Sequence, residues 1–258
     1  KRKDPEAAVS YFLEEGYPVS GFIEYLLTIA NSNYEEWRNA NLSADKYDFQ
    51  LSFDKMTLDG ALFDLAKVKN ICKERLAHLN KDDFTDLAYD WACKYNEELK
   101  GVIDRDPDYF KSIINIEREK ENPRKDYEKF SDILPIINFM YDDYYEQAIK
   151  EDLPWNEAAS KETIKAVLED YKNNMNLDLT EEEWFEKLKE LAVRHNYCPN
   201  VKEYKKNKEA YNGHIGDISE IIRIAMSGKK NTPNLYYALK ILGEERLTNR
   251  FNKIISLL

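Results

Sequence analysis

The sequence predicts an all-α fold, and three observations carry that prediction. Glycine and proline are scarce, 8 of each among 258 residues, whereas a turn-rich all-β chain uses many more. Charged residues make up 34% of the chain and alternate with Leu, Ile and aromatic residues at spacings of three and four. Residues that start helices, several followed by proline or an acidic residue, punctuate these runs. The length allows one large or two smaller domains.

Asp4, Pro5 and Glu6 form a helix start, and the first three helices are expected over 5–15, 20–30 and 34–41. Phe49, Leu51 and Phe53 alternate with polar residues, which permits a short extended segment. Asp64 precedes a helical series of Leu65, Val68, Ile71, Cys72, Leu76 and Leu79, with Asn80 as its stop. From Lys81 the period continues through Phe84, Leu87, Ala88, Trp91, Ala92 and Tyr95. Asp106 and Pro107 open another helix, expected to end near Asn122 because Pro123 biases its predecessor away from the helical region. A basic loop from Arg118 to Asp126 follows, then one helix through Ile133, Ile136, Ile137, Met140 and Tyr144.

Asp152-Leu153-Pro154-Trp155-Asn156 interrupts the pattern and marks a boundary between two halves. Beyond it helices are expected over 157–173 and 180–195, the second opened by a capping box of Thr180 with Glu183. Near the end Ile218, Ile221, Ile222 and Ala225 line one helix face, with Gly228 as the stop. Thr232 is the expected cap of the next helix and Pro233 its first residue, ahead of the Leu235, Leu239 and Leu242 stripe. Gly243 ends that helix, and a last one over 244–258 carries Leu247, Phe251, Ile254, Ile255 and Leu258. A basic loop with Lys229 and Lys230 is thus clamped between short packed helices.

The net charge of −11 argues against attraction of a polyanion to the whole surface, though not against local basic faces. Four clusters could supply one: Lys1-Arg2-Lys3; Arg118, Lys120, Arg124 and Lys125; Lys202, Lys205, Lys206 and Lys208; and Lys229-Lys230. Each is also what an ordinary solvated surface looks like. Most of the 18 tyrosines, Tyr236 and Tyr237 among them, read as half-buried core residues rather than base-stacking ones. Cys72, Cys93 and Cys198 are odd in number and far apart, which fits a reducing cytoplasm, and His195 with Cys198 lacks the further ligands of a structural metal site. No apolar run reaches bilayer length and no secretory signal is visible, so a soluble cytoplasmic protein is expected. A glycine-rich phosphate loop, a nucleophile arrangement and strand–helix alternation are all missing, so no catalytic residues are expected in this chain.

One long pattern points further. Arg223, Ala225, Ser227-Gly228, Pro233, Leu235, Leu242-Gly243, Glu245-Arg246 and Arg250 form a run that resembles the C-terminal end of bacterial glutamate tRNA ligases. At the other end Lys1-Arg2-Lys3, Ala8-Val9-Ser10, Glu15-Gly16-Tyr17 and Tyr25-Leu26-Leu27 look like the sequence after that family's Lys-x-Ser-Lys-Arg loop. Between them, residues 60–67 are similar to its Gly-Ala-x-Phe-Asp-x-x-Lys signature. The family's His-x-Gly-His nucleotide-binding signature has no counterpart, since Gly213-His214-Ile215-Gly216 lies between helices and lacks its pattern.

The resemblance implies an all-α C-terminal fragment: a multi-helix stem-contact region over 1–80, then a two-part helical anticodon-binding domain over 81–150 and 151–258. It implies binding of tRNA(Glu), with tRNA(Gln) left open, by a monomer that engages neither DNA nor membrane. Arg223, Thr232, Pro233, Leu235 and Tyr236 would receive the first two anticodon bases, and Arg124, with Arg118 as its substitute, the third. Lys1 and Arg2 would be the remnant of a loop that neutralises ATP phosphates. ATP and Mg would serve the parent enzyme and no cofactor this chain. Composition by itself favours a different class, an acidic helical scaffold that binds proteins and not RNA. A free-standing enzyme has no site to support it.

Overall fold

The computed structural model describes residues 8–42, 44–56 and 62–258, so Lys1, Arg2, the expected start at Asp4–Glu6 and the signature residues Gly60 and Ala61 lie outside the described residues. Among the described residues the structure is helical throughout, with one isolated bridge between Cys198 and His214 in place of any strand. The chain forms two compact units, Lys1–Pro135 and Ile136–Leu258.

In the first unit α1 (Val9–Glu15), α2 (Val19–Ala30) and α3 (Tyr34–Ala40) precede α4 (Leu65–Ala77). Phe12, Tyr17, Tyr25, Val68 and Cys72 form a buried cluster joining α1, α2 and α4. Gly21 lets α2 and α4 approach, because a Cβ there would stand 3.0 Å from Cys72 Cα. Glu24, 2% exposed, is held by Arg38 and Arg75, each at 3.1 Å, as a charge so deep requires. The segment expected to be extended is irregular: Phe49 and Leu51 lie between two 3-10 turns, Lys46–Asp48 and Phe53–Lys55, and Phe53 opens the second. No strand lies beside it to complete a ladder, and Phe49 turns in against Tyr34 with ring centroids 4.9 Å apart.

α5 (Lys81–Tyr95), α6 (Glu97–Arg105) and α7 (Pro107–Ile114) follow almost without loops. The joints need so few residues because Asn96 and Asp106 each close one helix and cap the next, their side chains accepting a backbone N–H at 2.9 Å, while Asn80 caps α5 in the same way at 2.8 Å. α7 stops well short of Asn122. Asn115 folds back onto the Lys111 carbonyl at 2.9 Å, and Glu117 takes a left-handed φ of 58°.

The single helix expected through Ile133–Tyr144 is broken into α8 (Ile133–Ile137), a 3-10 turn Asn138–Met140 and α9 (Asp142–Ala148). Arg250 occupies the break, donating to the Phe139 carbonyl at 2.8 Å and pairing with Asp142 at 2.7 Å. In the second unit α10 (Lys161–Asn173) starts later than position 157, where Ser160 accepts from the Thr163 N–H. α11 (Glu181–Arg194) opens on the expected Thr180–Glu183 capping box. α12 (Val201–Tyr204), α13 (Ile215–Ser227), α14 (Leu235–Leu242) and α15 (Glu244–Leu257) complete it. Ile218, Ile222, Leu188, Leu247, Phe251 and Ile254 form its core, all at most 1% exposed.

Candidate nucleic-acid interface

The loop between α13 and α14 is mounted on a helix end whose carbonyls from Arg223 to Met226 are each occupied. Ser227 Oγ donates to the Arg223 carbonyl at 2.6 Å, Gly228 N–H to Ile224 at 2.7 Å, Tyr145 Oη to Ala225 at 2.8 Å and Arg250 to Met226 at 2.7 Å. Gly228, at φ 74°, then turns the chain in the left-handed conformation that costs other residues roughly 1–2 kcal/mol. Ser227 Oγ also accepts the Lys229 N–H at 3.1 Å, so the first residues of the loop are fixed from both sides.

Arg223 Nε donates to Thr232 Oγ1 at 3.2 Å, and that hydroxyl donates to the Pro233 carbonyl at 2.9 Å. Thr232 is therefore not the cap of α14. Asn234 is, accepting the Tyr236 N–H at 3.0 Å, and both Thr232 and Pro233 precede the helix. Pro233, Leu235 and Tyr236 are buried, the Tyr236 hydroxyl donating to the Leu179 carbonyl at 2.6 Å, while Arg223 and Thr232 are half-buried. The structure thus brings the five expected residues into one stretch, with the polar ones outermost.

Two features of this stretch were not legible beforehand. Glu181, in the first turn of α11, accepts from Asn234 Nδ2 at 2.9 Å and from the Tyr237 hydroxyl at 3.2 Å, bracing the start of α14. Lys229 is not a solvated cation: its ammonium donates to Asn138 at 2.6 Å, and burial holds its pKa below the ordinary lysine range. Lys230 lies 3.6 Å from Glu220.

The loop after α7 is arranged differently. Arg118 is 8% exposed, lies 3.7 Å over the Phe84 ring, and donates to Asn115 and to the carbonyls of Leu76, Ala77 and Leu79. Burial lowers its pKa to about 10, which still leaves it charged at neutral pH. To serve as a base reader Arg118 would have to leave these partners, because its guanidinium caps α4 from inside the unit. Arg124 is nearer the surface and grips Asp126 through two bonds of 2.9 and 2.8 Å, which raises its pKa. Lys120 and Lys125 pair with Glu117 and Glu74.

Among the described residues no group of three His, Cys, Asp or Glu side chains could hold a metal, and no helix is long and apolar enough to cross a membrane. His195 Nε2 lies 2.9 Å from Asp170, and the Cys198 thiol donates to the Asn200 carbonyl at 3.2 Å.

Comparison with known proteins agrees with this architecture. The chain is 37% identical to a glutamate–tRNA ligase of Clostridium perfringens and 38% to that of Clostridium beijerinckii, over all of this chain and 47% of each relative. It is 35% identical to that of Sorangium cellulosum, over 99% of this chain and 44% of the relative. The chain therefore spans about half the length of the curated relatives it matches. Residues 83–255, which contain both loops described above, match the family described as the anticodon binding domain, and the chain belongs to that family.

Proposed function

We propose that the chain is the tRNA-binding part of a glutamate–tRNA ligase, and that it reads the anticodon of tRNA(Glu). The observation that carries the reading is the α13–α14 loop, where Arg223, Thr232 and the start of α14 meet on a helix end whose carbonyls from Arg223 to Met226 are paired. Unpaired bases need hydrogen-bond donors, backbone groups at a helix start and an apolar wall, and the loop collects all three. In this reading Arg223, Thr232, Pro233, Leu235 and Tyr236 receive the first two anticodon bases and Arg124 the third. The family match beginning at residue 83 supports a stem-contacting region over 1–80 ahead of recognition subdomains over 81–150 and 151–258.

The parent protein would attach glutamate to tRNA(Glu) with ATP and Mg in the cytoplasm, as a monomer. Titration of the chain with tRNA(Glu) and an unrelated tRNA at rising salt tests this. Tighter binding of tRNA(Glu), falling steeply with salt, is expected, since lysine and arginine contacts release counterions. Equal binding of both RNAs, or a flat salt profile, would instead favour an acidic helical scaffold. The chain alone is not expected to catalyse glutamate-dependent pyrophosphate exchange, and exchange above background would overturn that assignment.

A further inference from the structure

The four lysines around α12 stand apart from the loops described above. Lys202, Lys205, Lys206 and Lys208 are all exposed, and among the described residues none of them forms an ion pair. Elsewhere cations beside the recognition loops are engaged: Lys120, Lys125 and Lys230 with carboxylates, Lys229 with Asn138. Four like charges within seven positions repel one another, so this segment bears an electrostatic cost that a polyanion would remove.

Tyr204 lies between Lys202 and Lys205 in sequence, and it also lines a cavity of about 260 Å³. Its ring meets that of His214 edge-to-face at 5.2 Å. The same cavity is lined by Tyr197 and Asp217. Tyr197 is 3% exposed, and its hydroxyl, which has no hydrogen-bond partner among the described residues, is open to solvent rather than sealed in the core. Burial, with the charge of Asp217 behind it, raises its pKa, so it remains a donor at neutral pH. Asp217 accepts the His214 N–H through Oδ2 at 2.7 Å, and among the described residues its second oxygen accepts no hydrogen bond.

We propose that this cavity holds one unpaired base of a bound RNA, outside the three anticodon bases, while the α12 lysines contact the phosphates that flank it. Aromatic walls suit the base, the adjoining lysines its backbone, and that pairing is how single strands are gripped. The second carboxylate oxygen favours a base that carries an amino group, cytosine over uracil, because uracil presents a carbonyl where cytosine presents its amino donor. The site rests on the RNA-binding reading above.

The test replaces all four lysines with glutamine, and separately makes Asp217→Asn and Tyr197→Phe, the latter removing only the unpaired hydroxyl. Binding is measured by fluorescence anisotropy with the full chain, to tRNA(Glu) bearing intact and substituted anticodons and to short oligocytidine and oligouridine RNAs. The lysine variant is expected to lose about tenfold or more in affinity, equally for every anticodon, with the salt slope falling by about one per phosphate contact. Asp217→Asn, which puts a donor where the second carboxylate oxygen stands, should erase a preference for oligocytidine with helicity unchanged, and Tyr197→Phe should weaken both oligonucleotides alike. An unchanged affinity and salt slope, a loss that depends on the anticodon, or no cytidine preference in the wild type would each overturn the proposal. Failure of the underlying reading looks different: the wild-type chain would not distinguish tRNA(Glu) from other tRNA, and the oligonucleotides alone would then decide the pocket.

Discussion

Arg118 and Arg223 occupy comparable places in the sequence, each beside a basic loop at the end of a helix, yet the structure uses them in opposite ways. Arg118 follows the end of α7 and faces the last carbonyls of α4, which no other donor reaches, so its guanidinium is drawn into the core. Arg223 sits inside α13, whose terminal carbonyls are already served by Tyr145, Ser227, Gly228 and Arg250. Relieved of capping, it reaches across to Thr232. The lesson is that an arginine turns toward a neighbouring loop only where other donors have satisfied the backbone around it.

This contrast can be broken by substitution. Arg118→Ala should destabilise the first unit by about 3–5 kcal/mol, the range for removing one partner of a buried charged network, with no change in anticodon preference while the unit stays folded. Urea titration followed by circular dichroism measures the first part, and a small effect would show that water replaces the guanidinium. Arg223→Ala should cost about 1–3 kcal/mol of tRNA binding, unequally among anticodon variants and with helicity intact. An equal loss for every anticodon would return Arg223 to the same class as Arg118.

Glu181→Ala sharpens the comparison, because a carboxylate beside a polyanion site weakens binding unless it orients something. It should reduce anticodon discrimination by about 1 kcal/mol, the worth of a hydrogen bond or two, even as overall affinity holds or rises. Discrimination equal to the wild type would leave the Asn234 and Tyr237 contacts without a functional consequence.

The smallest effect is expected far from either loop, at Asp170, whose carboxylate is held below its ordinary pKa of 3.8 first by Arg194 and then by His195. A depressed folded value means that its stabilisation is present above the unfolded pKa and is lost as the pH falls through the folded one. Asp170→Asn should therefore lower the urea midpoint at neutral pH and leave it unchanged in strong acid. The same deficit in both would place the effect in packing.

What the sequence disclosed follows from how local each determinant is. The Ile218, Ile221, Ile222 and Ala225 stripe, the Thr180–Glu183 box and the Gly228 stop act within a turn or two, and the structure contains all of them. Asn234 was missed as the cap of α14 because Thr232 and Pro233 offered an equally good local start. The choice is biased by Glu181, which braces Asn234 from 53 positions away. The burial of Arg118 was unreadable for the same reason, since the carbonyls that claim it lie 39 to 42 positions earlier. The break at residues 138–141 was unreadable, because nothing near Phe139 announces that Arg250 will fill it.

Arg250 carries one more consequence, for a chain still being made. It joins the Phe139 carbonyl, 111 positions back, to the Met226 carbonyl beside the recognition loop, with its guanidinium 4.0 Å over the Tyr145 ring. Contacts of such span form late, because a long loop must close before they return any energy. A nascent chain ending at residue 249 would already possess every residue proposed to read the anticodon, and would still present them from a helix with an open end. Recognition as proposed for this unit is therefore completed by Arg250, a residue that is not one of the proposed readers and is made after all of them.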